Sequence, residues 1–369
     1  MPQGNRFSLA RLSTIILVAV FLLHEASRAY APDLLSNSAL PTITHPDPPQ
    51  AFEAGAQIHV AWRQGEAARI GIRSDGWLTE SQLFSTDELG FRNLPGTAKR
   101  PLAGFTLGNS FIYGAQLDDD ETLAVQLGRT LGSTFYNAGS AFVPDVAWVE
   151  SMIQTLGLKG GVVVFGQLER VPPPKLQAQS KAPSTPLLGP IQSIIQGVRS
   201  VDRRWSPLRQ AAEEGFRAVH DPRWLRQQTH ETVLDGTMRT GERIMFLGRE
   251  EVESVTKPVE TPDLSYWKKL QAMLHQHNME LVVLVEPSKY TVYWDLLQAS
   301  IAPPPRGRGQ QLEQALRDAS IPAVYVGQEF RAAAQAGERL YWSSDSHWNA
   351  KGVKIAAGEL AALIRSIQK

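Results

Sequence analysis

The chain contains no cysteine among its 369 residues. Disulfides, thiol nucleophiles and cysteine-ligated zinc are excluded by that absence alone. It also lacks an excess of either charge, because 37 Lys plus Arg balance 37 Asp plus Glu. A neutral chain carries no electrostatic footprint for a phosphate polymer, so nucleic acid is not an expected partner. No apolar run reaches the roughly 20 residues that span a bilayer comfortably, and no internal repeat is visible. Histidine is scarce, at eight, which limits the candidates for a general base. What is present is ample hydrophobic content, 43%, enough for one large α/β domain with insertions or two smaller domains.

The N-terminus reads as an export signal. Arg6 and Arg11 precede the apolar run Leu12 to Leu23, with no acid among them, in the pattern of a signal peptide or signal anchor spanning residues 1–31. The shortness of the run favours cleavage after the small-residue site Ala29 to Ala31. Pro32 disfavours a scissile bond there, so an anchor through residues 12–23 remains open. Either way the bulk of the chain is expected outside the cytoplasm, in a periplasmic or other extracytoplasmic space. Residues 32–55 are rich in Pro, Ser, Thr and Asn and read as a linker.

From Gln57 to Ile72 two short β-type runs flank "RQGEA", predicting a hairpin as a small N-terminal β appendage. Strands and helices then alternate, the signature of a mostly parallel sheet covered on both faces. "LAGFTL" is the first strand, followed by a helix with Asp119 or Asp120 as N-cap and Leu123, Leu127 and Leu131 on one face. "STFYN" is the second strand. A helix with Val146, Val149, Ile153 and Leu156 in a stripe leads to "GVVVFG", a continuous apolar strand of the buried parallel kind. Six prolines between Val171 and Pro190 open an insertion to about residue 240, Pro-rich and then helical. Its Arg residues beside Trp205 and Trp224 fit either a saccharide or polyanion surface or a solvated helical face. After "RIMFLG", read as a further strand, the rhythm resumes. A helix starts with Thr261 as N-cap and Pro262 at N1; the strand "ELVVLVE", the helix "GQQLEQALRDA", the strand "AVYV" and a long amphipathic terminal helix follow. The domain proper is expected to run over residues 56–369.

In an open α/β sheet, ligands collect where strands end at their carboxyl edge. Ser110, in "LGNSFIYG", follows the first strand by a Gly-Asn step and precedes Gly114, so it reads as an exposed nucleophile or as a turn serine. Gly139, after the second strand, can present a backbone N–H to the same place. Seven histidines fall in the signal, the linker, a hairpin or polar helices. His347, in "YWSSDSHWNAKG", instead lies in a loop at the same sheet edge, with Asp345 two residues earlier, close enough to orient an imidazole. Asp345 and His347 lack a clear third metal ligand, so no metal or other cofactor is expected. The alternative for this loop is a helix start capped by Asp345 or Asn349, with His347 on the surface.

These segments together resemble the SGNH (GDSL-type) superfamily of serine hydrolases and acyltransferases, and most of all its branch of bacterial polysaccharide O-acetyltransferases of the alginate type. The matching pieces are "TDELGFRN", "LGNSFIYGAQLDDDETLAVQL", "FYNAGSAF", "VVVFGQLER", "VLVEPSKYTVY" and "LYWSSDSHWNAKG". The resemblance implies a three-layer α/β/α, flavodoxin-like parallel sheet. It implies Ser110 as nucleophile, His347 as base and Asp345 as its orienter, with an oxyanion hole from Ser110, Gly139 and, as the nearest amide to the family's third-block asparagine, Gln167. It further implies an acetyl-enzyme discharged to a polysaccharide hydroxyl or to water, and partners in a membrane-bound O-acyltransferase and glycan export machinery. The family's usual G-D-S is G-N-S here, so Asn109 removes a carboxylate beside the serine. A carbohydrate esterase and a glycan-binding domain without catalysis are the alternatives.

Overall fold

The computed structural model describes residues 45–46, 49–50, 54–55, 57–60, 82–140, 144–175, 233–256, 261–299, 304 and 307–368. All belong to one compact unit, Pro41–Ala178 with Thr229–Lys369. The export signal, most of the linker and the helical part of the insertion with Trp205 and Trp224 lie outside the described residues. Among the described residues no helix is long and apolar enough to cross a membrane.

Strands β1 (His45–Pro46) and β2 (Pro49–Gln50) pair antiparallel, as do β3 (Gln57–Val60) and β4 (Gln82–Ser85). β3 covers the first run of the hairpin expected within 57–72, and its second run lies outside the described residues. Phe84, in register with Ile58, is buried. The main sheet begins with β5 (Gly104–Leu107), followed by α1 (Ser110–Tyr113), α2 (Leu123–Leu131), β6 (Phe135–Asn137), α3 (Val146–Thr155) and β7 (Gly161–Leu168). Next come the pair β8 (Val233–Thr237) and β9 (Arg243–Leu247), then α4 (Ser265–Gln276), β10 (Met279–Glu286), α5 (Lys289–Tyr293), α6 (Arg308–Asp318), β11 (Ala323–Tyr325), α7 (Gly327–Gln335) and α8 (Ala350–Ile367).

Five strands form the sheet in the order β6-β5-β7-β10-β11, every neighbouring pair parallel. The chain runs outward from β5 to β6, then returns past β5 to β7 and continues the other way. That reversal creates a switch point between β5 and β7, where the loops leave in opposite directions and open a crevice. β7 and β10 are buried on both faces, which is why they read as unbroken apolar runs. One face, carrying Val162, Val164, Val282 and Leu284, packs against Leu123 and Leu127 of α2 and Ala357, Leu360 and Ile364 of α8. On the other face Phe165 meets Tyr266 and Trp267 of α4 edge-on. Each side chain of this size contributes roughly 1.5–3 kcal/mol when fully buried.

Two local expectations change. Asp119 and Asp120 do not cap α2; they form their own 3₁₀ turn, Asp119–Glu121, because Asp118 N–H donates to Glu121 Oε2 at 2.9 Å in a capping box. α4 starts at Ser265 rather than after Thr261, since Asp263 Oδ1 takes the Ser265 N–H and holds the preceding residues in a turn. The strand expected at "RIMFLG" forms as β9 and pairs antiparallel with β8, from which only Met238–Glu242 separates it. On α3 the buried stripe is Trp148, Val149, Met152 and Ile153, with Asp145 as cap.

Candidate active site

Ser110 stands at the switch point, held by the turn that joins β5 to α1. Asn109 is the N-cap of α1, its Oδ1 accepting from Phe111 N–H at 2.8 Å. Ser110 is thereby the first helical residue, a position whose own N–H has no intrahelical partner. Gly114 closes the helix in the left-handed region, at φ 86°, a conformation that costs a side-chain-bearing residue energy. Behind the turn, the buried Arg92 guanidinium donates to the carbonyls of Gly114 and Leu117 and pairs with Asp119 at 3.4 Å. The segment "TDELGFRN" thus braces the exit of the nucleophile's helix.

The loop before α8 brings His347 to that serine. His347 Nε2 lies 2.7 Å from Ser110 Oγ, and His347 Nδ1 lies 2.5 Å from Asp345 Oδ1. The same Asp345 oxygen accepts the backbone N–H of His347 at 2.8 Å, so it is an acceptor on both counts and Nδ1 carries the ring proton. Nε2 is left to accept from the serine, the arrangement a general base requires. Asp345 is 1% exposed and His347 8%, which removes water that would otherwise weaken the relay. Gln116 Nε2 donates to the second oxygen, Asp345 Oδ2, at 3.3 Å. The ring of Phe111 lies 4.7 Å from the imidazole and fixes its plane. Asn349 caps α8 through Lys351 and Gly352 N–H, so the helix start and the Asp-His pair are separate features of one loop.

Residues 245–369 match the family model described as "SGNH hydrolase-like domain, acetyltransferase AlgX". The matched residues include the loop that carries Asp345 and His347, whose relay Ser110 completes. The C-terminal part of the chain is thus similar to an SGNH hydrolase-like domain. A solved structure from Slackia heliotrinireducens, assigned as an SGNH hydrolase, is 13% identical over 72% of this chain and 100% of its own, with a TM-score of 0.32. A second crystal structure is 13% identical over 72% of this chain and 97% of its own, at a TM-score of 0.31. No curated protein matches. Among the described residues no cluster of His, Cys, Asp or Glu is arranged to hold a metal ion.

The other expected site residues have defined surroundings. Gly139 packs directly on α1: a Cβ there would sit 2.4 Å from Tyr113 N and 2.8 Å from Ile112 C. Its N–H donates to Asn137 Oδ1 at 2.9 Å, so it reaches an oxyanion only when that amide turns away. Gln167 Nε2 donates to the carbonyls of Leu168 at 3.0 Å and Val171 at 2.9 Å, holding the turn after β7. Gly139→Ala is expected to lower acylation by at least about 10²-fold by displacing α1, because a one-ångström shift of a reacting group costs on that order. Burst kinetics with an aryl acetate, beside a circular dichroism spectrum confirming the fold, measure it.

Three further residues carry the site without having been legible in a motif. Lys289, 0% exposed, points all its donors at the loop of His347, bonding the carbonyls of Trp342, Ser343 and Asp345 at 2.6, 3.1 and 2.9 Å. Glu286, the last residue of β10, accepts from Asn109 Nδ2 at 2.7 Å. Arg170, just past β7, stands over the Phe111 ring, its guanidinium carbon 5.7 Å from the ring centre, and pairs with buried Glu251 at 3.6 Å. All three lie within the segments "VVVFGQLER" and "VLVEPSKYTVY", but nothing in the sequence singles them out.

Proposed function

We propose that this protein is an exported serine O-acyltransferase that acetylates a polysaccharide through an acyl-Ser110 intermediate. The observation that carries the reading is the 2.7 Å contact of His347 Nε2 with Ser110 Oγ, backed by Asp345. Ser110 Oγ attacks the donor's ester carbonyl as His347 takes the hydroxyl proton. The tetrahedral oxyanion is met by the Ser110 N–H and by Gly139 N–H once Asn137 releases it. Collapse expels the donor alcohol, which leaves with the proton from His347, and acetyl stays on Ser110. A sugar hydroxyl then gives its proton to His347 and attacks the acetyl carbonyl, and Ser110 is regenerated with that proton.

Transfer rather than hydrolysis is supported by the match of residues 245–369 to a family described by its acetyltransferase. The basic N-terminus and apolar residues 12–23 support a site of action outside the cytoplasm, periplasmic or anchored to the inner membrane. A membrane-bound O-acyltransferase supplying acetyl groups and a glycan exporter are the partners that fit such a role. The test is to incubate the protein with an aryl acetate, with and without acetyl-free oligosaccharide, beside Ser110→Ala. Wild type is expected to form an acetyl-enzyme and acetylated sugar, and the variant to lose at least about 10³-fold in rate. Free acetate alone assigns an esterase; equal rates in both proteins overturn the catalytic reading.

A further inference from the structure

Four acidic side chains are buried in the described residues away from the relay: Asp87, Glu169, Glu251 and Glu286. Asp87 takes the N–H groups of Leu89 and Phe91 and the amide of Asn93. Glu169 takes Ser288 N–H and the Tyr325 hydroxyl, and Glu251 takes Leu247 N–H and pairs with Arg170. These three tie loops together. Glu286 does not. Its Oε2 accepts only from Asn109, and its Oε1, fully buried, has no hydrogen-bond partner. That oxygen lies over Gly166, where a Cβ would come within 2.5 Å of it. Burying a carboxyl group with one oxygen unpartnered is costly, so Glu286 is poorly explained by stability.

Resting on the reading of Ser110 as nucleophile, we propose that Glu286 is a positioning residue for the Ser110 reaction: through Asn109 it fixes the cap of the nucleophile's helix, and when ionised it favours the His347 imidazolium. Asn109 is built for the first part, since its Oδ1 holds Phe111 N–H while its Nδ2 is anchored to the carboxyl group. For the second part the surroundings matter. Glu286 is tied to the base through Asn109, whose neighbour Ser110 holds His347 Nε2 at 2.7 Å; the charged groups that act on it are Arg170 from the end of β7, itself shared with Glu251, and His347, with Asp345 behind it. Lys289 on α5 is committed to the carbonyls of the His347 loop. Burial pushes the Glu286 carboxyl up to about 8, against the opposing pull of Asn109, Arg170 and His347. Below that pH the group is neutral, and above it the negative charge arrives beside the base.

The sign of the effect follows. Negative charge stabilises the imidazolium that forms as Ser110 is deprotonated, so activity should keep rising as pH passes through about 8. Glu286→Gln keeps the size of the side chain and an oxygen for Asn109 while removing the charge. Asn109→Asp with Glu286→Gln reverses the pair: the new amide donates, the charge moves to position 109, and an aspartate still caps Phe111 N–H.

The experiment is the acylation rate with an aryl acetate against pH for wild type, Glu286→Gln and the double variant, with ¹³C-histidine NMR of the His347 ring in each. The ratio of wild type to Glu286→Gln is expected to grow from about twofold near pH 6 to about tenfold near pH 9, with the double variant recovering to within about threefold of wild type. The His347 ring signal is expected to show a step near pH 8 that Glu286→Gln lacks. A ratio that does not change with pH, or a double variant no better than Glu286→Gln, overturns the proposal. If wild type forms no acetyl-enzyme, the proposed function fails, and the His347 titration, which needs no turnover, decides the coupling to Glu286 by itself.

Discussion

Asp345→Asn is expected to lower the acylation rate about 10⁴-fold while leaving the fold intact. Oδ1 of Asp345 accepts from both Nδ1 and the backbone N–H of His347. An asparagine has one acceptor face and one donor face, so it either keeps those two bonds or swings its NH₂ toward Nδ1. In the first case the imidazolium formed on deprotonating Ser110 loses its counter-charge in a buried setting. In the second, the ring proton moves to Nε2 and the base has nothing with which to accept from the serine. Both routes raise the barrier and neither disturbs the core, because Gln116 can turn its amide to meet the new side chain. Single-turnover acylation gives the rate and thermal unfolding gives the stability. A loss below about tenfold with an unchanged melting temperature would show that Asp345 is not needed to orient the base.

Lys289→Met should damage both stability and rate. The ammonium is fully buried and each of its three donors meets a main-chain carbonyl of the loop that carries Asp345 and His347. Methionine matches its length and leaves three buried acceptors unpaired, a change that costs about 3–5 kcal/mol when a buried charge network is broken. For a domain of this size that corresponds to a fall of roughly 10 °C in melting temperature. The loop, no longer tethered, loses its register on Ser110, so kcat is expected to fall by at least about 10²-fold with little change in KM. Lys289→Arg should not rescue it, since a planar guanidinium cannot aim at three converging carbonyls. Thermal melts and steady-state kinetics on the two variants check this; wild-type values in Lys289→Met would remove the tether from the account.

The alternation of strands and helices and the positions of Ser110, Asp345 and His347 were legible because they obey local rules. Apolar runs announce buried strands, and a serine, an aspartate and a histidine at strand-end loops announce chemistry. Lys289, Glu286, Arg170 and Gln116 obey no such rule. Asn109 and Glu286 are 177 positions apart in sequence, and their contact depends on β5, β7 and β10 lying side by side with a particular register. The errors have the same origin at shorter range. Asp119 and Thr261 read as helix starts, yet Glu121 holds the first in a 3₁₀ turn and the Asp263–Ser265 turn delays the second helix to Ser265. "RIMFLG" is the strand its apolar run announces, but its pairing with β8 is something no periodicity reveals.

Asp345 and His347 share one turn, with the carboxylate gripping both the ring and the main chain of the histidine two residues on. The site is therefore assembled from two bodies, a serine turn and an Asp-His turn, where three independently placed groups would need more ordering. Only one relative placement has to be secured, and Lys289 secures it from the neighbouring strand end. Such a two-piece site places no demand on which piece comes first along the chain. The Asp-His turn can sit before or after the serine in sequence, as long as the sheet returns both to the same crevice, and its place next to the C-terminal helix here is a matter of wiring.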